Sequence, residues 1–360
     1  MDSISRTLLP IPEALLPLLA SLGLRDAFAG KHLLITGGTG FFGKWLLSVL
    51  AELNRQGAEV TVTVASRDPQ RFLSSWPVCR YFTWLDWIPG DIRELSALPG
   101  RNADFILHAA ADTSAAAGDR PLELFQTIVQ GAQRVYELAL RSGMARVLIT
   151  GSGAQYGSLP VSGGVCETYA GACSSNTPSS AYGEGKRVQE TLGALYGHSH
   201  GLEVVMTRCF AFAGPGLPLD GHFAIGNFVR DALLADEVVL NSSGEAVRSY
   251  LHGADLAIWL LTLLIKGKSG VAYNVGSDSA VSIAELARRV VARLAPHKTV
   301  RVLGRPEGLS RSNYVPDISR ARELGLEVWT SLDASIDSMA TWASRDGTDS
   351  VIGQSRSISE

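Results

Sequence analysis

TGGTGFFG, Thr36 to Gly43, lies inside the run KHLLITGGTGFFGKWLLSVL (residues 31–50), and the reading of the whole chain turns on it. Four glycines in eight positions separate an apolar run from a segment with helical spacing. Glycine lowers the stability of a helix start, so a bare backbone there must serve another purpose. Gly37, Gly40 and Gly43 keep a GxxGxxG spacing directly after a strand-like run. Glycines so placed let the chain turn tightly and approach a pyrophosphate. The helix start then offers free N–H groups and the positive end of its dipole. The stretch predicts a dinucleotide site, with Phe41 and Phe42 on the first turn beside it.

Outward from this loop, strand-like and helix-like patterns alternate. HLLITGG is followed by helical KWLLSVLAELNRQG, then by EVTVTVASRD, ADFILHAAA, helical LFQTIVQGAQRVYELALRSG, ARVLITGSG and LEVVMTRCF. Strands that are apolar throughout, alternating with helices, predict an α/β protein with a parallel sheet covered on both faces. After about Arg208 the pattern loosens into turn-rich FAGPGLPLDGHF, helical AIGNFVRDALLA, a late strand GVAYNVG and a further helix VSIAELARRVVARLA. The expected organisation is a cofactor domain over 31–208 and a smaller substrate lobe, mainly 209–342, with segments returning to the sheet. A loose tail over 343–360 follows. Residues 1–30 form an extension whose LLPIPEALLPLLASLGL carries Glu13 and three prolines. It reads as an amphipathic segment packed on the domain rather than a signal peptide.

Bulk composition narrows the function classes. The 360 residues are 46% hydrophobic, enough for a full core, and the formal net charge is −3. That balance gives no electrostatic reason to expect nucleic acid or an anionic membrane as partner. No stretch is apolar for the ~20 residues of a membrane span. Cys79, Cys166, Cys173 and Cys209 show neither CxxC nor His-rich spacing, so no metal is expected. Reduced thiols in a cytoplasmic enzyme fit better than a disulfide framework.

The second strand should end near the adenosine ribose, where an acidic residue favours NAD. Here Ser66 and Arg67 come first and Asp68 one step later. An arginine there pairs with a 2′-phosphate, which inclines the reading to NADP, while Asp68 keeps NAD open. Asp91 and Ile92 stand where a third strand ends, and the Asp91 carboxylate is a candidate acceptor for the adenine amino group. Farther on, SAYGEGK places Tyr182 and Lys186 four apart on one helix face. A phenol is too weak a base at neutral pH unless a neighbouring ammonium and a positive nicotinamide stabilise its anion. Taken alone, YxxxK is as well a surface pair. Ser152 in GSGAQYG offers a hydroxyl to the oxygen that Tyr182 would deprotonate, or simply closes a turn.

In order along the chain, TGGTGFFG, HAAA, GSGAQYG, YGEGK, RCFAFAGPG, RSYLHGADLA and AYNVGS resemble the motifs of the extended short-chain dehydrogenase/reductases. Over roughly residues 31 to 342 the chain is similar to their NAD(P)-dependent nucleotide-sugar epimerase/dehydratase group. The resemblance implies a Rossmann-type doubly wound sheet and a smaller C-terminal substrate-binding lobe. It makes Tyr182, Lys186 and Ser152 the catalytic triad and the three loop glycines the phosphate site. Ala109, Ala110 and Ala111 become the small residues that let the cofactor lie close to the sheet. Arg248 would hold the substrate diphosphate through two donors. Thr113, Ser114, His222 and Asn227 are further substrate candidates, and the relatives commonly dimerise through two helices.

Members of the group open with hydride leaving a sugar carbon for the nicotinamide. A 4,6-dehydratase then needs an acid in the two positions after the matched Ser, where this chain has Gly153 and Ala154. The reading is therefore a nucleotide-sugar epimerase working through a 4-keto intermediate. An NADPH-dependent 4-ketoreductase, a dehydratase and a non-catalytic NADP sensor stay open. Ile128 and Ala211 replace residues that are usually Asn in the relatives, and Gly253–Ala254 replaces Val–Asp, so the nucleotide or the sugar is expected to be atypical.

Overall fold

The computed structural model describes residues 8–95, 97–98, 100–110, 118–160, 162–221, 223–305 and 312–345. β1 (His32–Thr36) leads through α1 (Phe41–Arg55) to β2 (Thr61–Ser66), α2 (Pro69–Ser75) and β3 (Leu85–Pro89). β4 (Phe105–His108), α3 (Pro121–Arg141), β5 (Arg146–Ser152), α4 (Ala181–His200) and β6 (Val204–Cys209) continue the alternation. Beyond β6 come α5 (Ala224–Leu234), β7 (Val247–Arg248), α6 (Gly253–Lys266) and β8 (Ala272–Val275). β9 (Val281–Ser282), α7 (Ile283–Leu294), β10 (Asn313–Tyr314) and α8 (Leu332–Arg345) complete the order.

Seven strands form one sheet in the order β8-β6-β5-β4-β1-β2-β3, with every pair parallel. The apolar runs of the sequence are its buried strands: Leu33, Leu34 and Ile35 of β1 have no exposed surface. α1 and α6 cover one face through Trp45, Leu46 and Leu256, while Ala132, Val135 and Tyr136 of α3 cover the other. Strand order reverses between β1 and β4, which opens a crevice at their carboxyl ends. Thr36 and His108, paired in register, sit at its rim.

The segment from Leu8 to Phe28 lies in the same core as α1 and α6. Leu9, Leu15, Leu19, Leu24 and Phe28 are at most 2% exposed, and the Leu9 N–H donates to Ser48 Oγ at 3.1 Å. A second core gathers Ile225, Val229, Leu286, Val290 and Ile336 from α5, α7 and α8. β7 joins β9 antiparallel and β10 parallel beside it. α8 is fixed to α7 by Arg289–Asp333 and Arg293–Asp337 ion pairs. It also reaches back to the large sheet: Trp342 stacks on Trp76 at 5.8 Å, and Trp76 on Phe72 of α2 at 6.0 Å.

The two margins of the sheet differ. On β8 the Asn274 N–H donates to Glu167 Oε1 at 2.8 Å, and the Ala272 carbonyl accepts from Arg320 at 2.7 Å. On β3 the outer positions include exposed Asp86 and Pro89. No described helix is long and apolar enough to cross a membrane. Among the described residues no group of three His, Cys, Asp or Glu could hold a metal, and the four cysteines are free thiols.

Candidate active site

The glycine loop joins β1 to α1 as its spacing requires. Gly37 has φ +74°, and a Cβ there would fall 2.6 Å from the Ala109 backbone. Gly43 packs as closely on Gly38. Gly40 differs, because a Cβ on it would meet nothing nearer than 3.6 Å. Chain packing therefore does not demand a bare backbone at Gly40, but a phosphate drawn against the loop does. Gly40 is also the N-cap of α1 and supplies no side-chain acceptor for its first N–H groups. This is an arrangement a dinucleotide pyrophosphate fits. Phe42 packs edge-on against Phe212 at 5.0 Å and Phe41 against Phe42 at 6.4 Å. The Ala109 and Ala110 N–H groups donate to the Thr36 carbonyl and hydroxyl, at 3.0 and 3.3 Å.

At the adenosine end, Ser66 closes β2, and its carbonyl accepts from Gly90 at 3.0 Å. Asp68 is engaged as the N-cap of α2, accepting from the Arg71 N–H at 2.9 Å. Asp91 is gripped by Arg93 through Nε and Nη2, at 3.0 and 2.7 Å, which holds its carboxyl below the usual range; the charge of Arg67 acts in the same sense. The expected adenine acceptor thus already carries a guanidinium. Ile92 is buried against Gly131 of α3.

Ser152, at the carboxyl end of β5, and Tyr182, in the first turn of α4, meet over the crevice. Burial raises the Tyr182 phenol to about 12, and the nearby Ser152 hydroxyl acts in the opposite sense. Tyr182 packs against the apolar side chains of Leu124 and Ile128. Ile128, one of the departures from the relatives, therefore walls the candidate base. Lys186 is fully buried, and Nζ donates to the Thr150 carbonyl at 2.7 Å; desolvation lowers it to about 8. Its ammonium is thus directed to the strand end. A positive nicotinamide beside the phenol would lower it toward working pH.

Tyr314 of β10 completes the site, and sequence reasoning missed it. Its hydroxyl lies 3.5 Å from Ser152 Oγ and 3.4 Å from the Cys209 carbonyl, with the ring against Phe210 at 4.7 Å. A Cβ on Gly153 would come within 2.8 Å of that hydroxyl and 2.9 Å of the Phe210 ring. Arg248 lies over the other side of Tyr314 at 5.7 Å, held by the Val247 carbonyl at 2.8 Å and Ser312 Oγ at 3.2 Å. Arg248, Tyr314, Ser152 and Tyr182 thus run as one chain of contacts. Ala154 lines a cavity of about 260 Å³ with Cys173, Ser174, Ser180 and Tyr182. Asn227 instead accepts from Arg230 on its own helix, at 3.4 Å. Ala111, Thr113, Ser114 and His222 fall outside the described residues.

Known proteins similar to this chain identify its family. The chain is 29% identical over 294 residues to UDP-glucuronic acid decarboxylase 3 of Arabidopsis thaliana, covering 81% of this chain and 83% of that protein. Its fold is similar to that of a UDP-glucose 4-epimerase of Thermotoga maritima solved with UDP-glucose, at TM-score 0.72 and 21% identity, covering 87% of this chain and 99% of that one. It is similar also to a dTDP-glucose 4,6-dehydratase of Streptomyces venezuelae solved with NAD and TYD, at TM-score 0.74 and 25% identity, covering 89% and 98%. Residues 33–276 match the NAD dependent epimerase/dehydratase family, and the chain belongs to that family of NAD(P)-dependent, nucleotide-sugar-modifying enzymes.

Proposed function

We propose that the protein is a nucleotide-sugar epimerase that passes through a 4-keto sugar. The nicotinamide supplies hydride acceptance and return. Tyr182 takes the proton of the sugar hydroxyl and gives it back, and Ser152 hydrogen-bonds the same oxygen. Lys186 holds the nicotinamide ribose, and Arg248 grips the diphosphate. One observation carries the choice of reaction. The two positions after Ser152 offer no carboxylate, and the space over Gly153 is filled by Tyr314 and Phe210. Elimination across C5 and C6 needs a proton donor there, whereas turning a ketosugar over does not. Arg67 near Asp91, with Asp68 engaged as a cap, supports NADP over NAD. Leu122 and Leu195 stand 70% and 54% exposed on α3 and α4 and support a homodimer formed through those helices.

The likeness to a UDP-glucuronic acid decarboxylase favours a second reading. A 4-keto uronic acid is a β-keto acid, and carbon dioxide leaves it without help from an acid at Ala154. Incubation with UDP-hexoses, UDP-glucuronic acid and 4-keto sugars, with either cofactor, separates these. The epimerase reading expects a C4-inverted product with no net change in nicotinamide absorbance, abolished in Tyr182→Phe while cofactor still binds. Carbon dioxide release from UDP-glucuronic acid would replace it with decarboxylation, and net NADPH loss with reduction.

A further inference from the structure

The turn after β5 does more than present a hydroxyl. The Ala154 N–H donates to Ser152 Oγ at 3.1 Å, and the Ser152 N–H donates to Gln155 Oε1 at 3.4 Å, a closed capping box. Gln155 is buried, and its Nε2 donates to Glu190 Oε2 at 2.6 Å. Arg208 of β6 holds that carboxylate from the other side, at 2.6 and 3.1 Å. It also donates to the Glu167 carbonyl at 2.9 Å and lies over the Tyr156 ring. On α4, Glu190 follows Lys186 by four residues and Tyr182 by eight, which puts all three on one helix face. A single amide therefore joins the turn that carries Ser152 to the helix that carries Tyr182.

At neutral pH an amide suits both neighbours. Its oxygen accepts from the Ser152 N–H while its nitrogen donates to a carboxylate. Methionine would fill the volume and leave both partners without that bond. Glutamate would keep the acceptor and set a second negative charge against Glu190, with Arg208 the nearby cation. The fit is close: a Cβ on Gly151 would lie 3.0 Å from Gln155 Oε1.

We propose that Gln155 is a positioning residue that fixes Ser152 relative to Tyr182 by tying the serine turn to Glu190. The proposal rests on the reading that these two hydroxyls handle the sugar oxygen. Gln155→Met and Gln155→Glu, made in the full chain, test it. In Gln155→Met, kcat falls by about 10–100-fold with little change in KM, the mark of a displaced reacting group in a site that still binds. In Gln155→Glu, turnover recovers as pH falls, because the protonated carboxyl donates to Glu190 as the amide does. A readout independent of substrate is the ultraviolet titration of the Tyr182 phenol, taken against each protein's Tyr182→Phe counterpart. Its midpoint moves upward in Gln155→Met, because the Ser152 hydroxyl beside it favours the phenolate. A Gln155→Met protein with a lowered Tm but unchanged kcat and phenol midpoint would show packing alone and overturn the proposal. If the wild type turns over no nucleotide sugar, the activity reading fails, and the phenol midpoint alone decides whether Gln155 positions Ser152.

Discussion

Lys186, proposed to hold the nicotinamide ribose, is buried at the expense of stability. Burial lowers its ammonium from the ordinary 10.5 to about 8, so between those values the unfolded chain holds the proton more tightly than the folded one. The cost of burying the charge is complete below pH 8 and fades as pH rises toward 10.5. Lys186→Met should therefore stabilise the fold by about 3 kcal/mol at neutral pH. Turnover should disappear, and the gain should shrink toward zero in denaturation measured near pH 10.5. The Thr150 carbonyl would keep a donor, because Gln189 Nε2 also reaches it at 3.0 Å. That Tyr182 and Lys186 share one helix was legible, since four-residue spacing on a helix is a local property. The direction of the ammonium was not, because the Thr150 carbonyl is 36 residues away. Arg93 on Asp91 was within reach of a reader, being a cation two positions after an acid.

At the scale of the element, β10 is the piece that sequence patterning passed over. SNYVPD has neither periodicity nor a motif, and Tyr314 meets Ser152 across 162 positions. Only the fold brings them together. Gly153 reads as an absent acid in the sequence, whereas in the structure it also makes room for a phenol. Gly153→Ala should cost about 1–3 kcal/mol by forcing Tyr314 and Phe210 apart. Tyr314→Phe in that background should restore part of the loss, the Phe210 contact remaining; equal stability of the single and double variants in urea melts would contradict the crowding. Gly253, another departure from the relatives, has a comparable cause, for a Cβ there would fall on the indole of Trp45.

For the whole molecule, the alternating first half made the parallel sheet legible, because buried strands and covering helices each leave a periodic signature. What was not legible is how the chain's end is fastened. Trp342 is one aromatic in an ordinary amphipathic helix, yet the stack of Phe72, Trp76 and Trp342 ties α8 to the cofactor half. Lys44 Nζ sits 5.3 Å above the Trp76 ring. Trp342→Ala should cost about 2–4 kcal/mol, from lost burial and stacking together, read as a lower midpoint in chemical denaturation. A midpoint within experimental scatter of the wild type would show that the second core and the ion pairs to α7 hold the helix without the stack.

The margins of the sheet bear on the protein's behaviour in a crowded solution. A strand with unmet N–H and C=O groups is a template on which another molecule can add its own strand, and filaments grow from such templates. Here the outer margin of β8 is already occupied by Glu167 and Arg320, which are ion-paired at 3.8 Å, and β3 presents an acid and a proline. Neither end of the sheet therefore invites copies of this chain to polymerise.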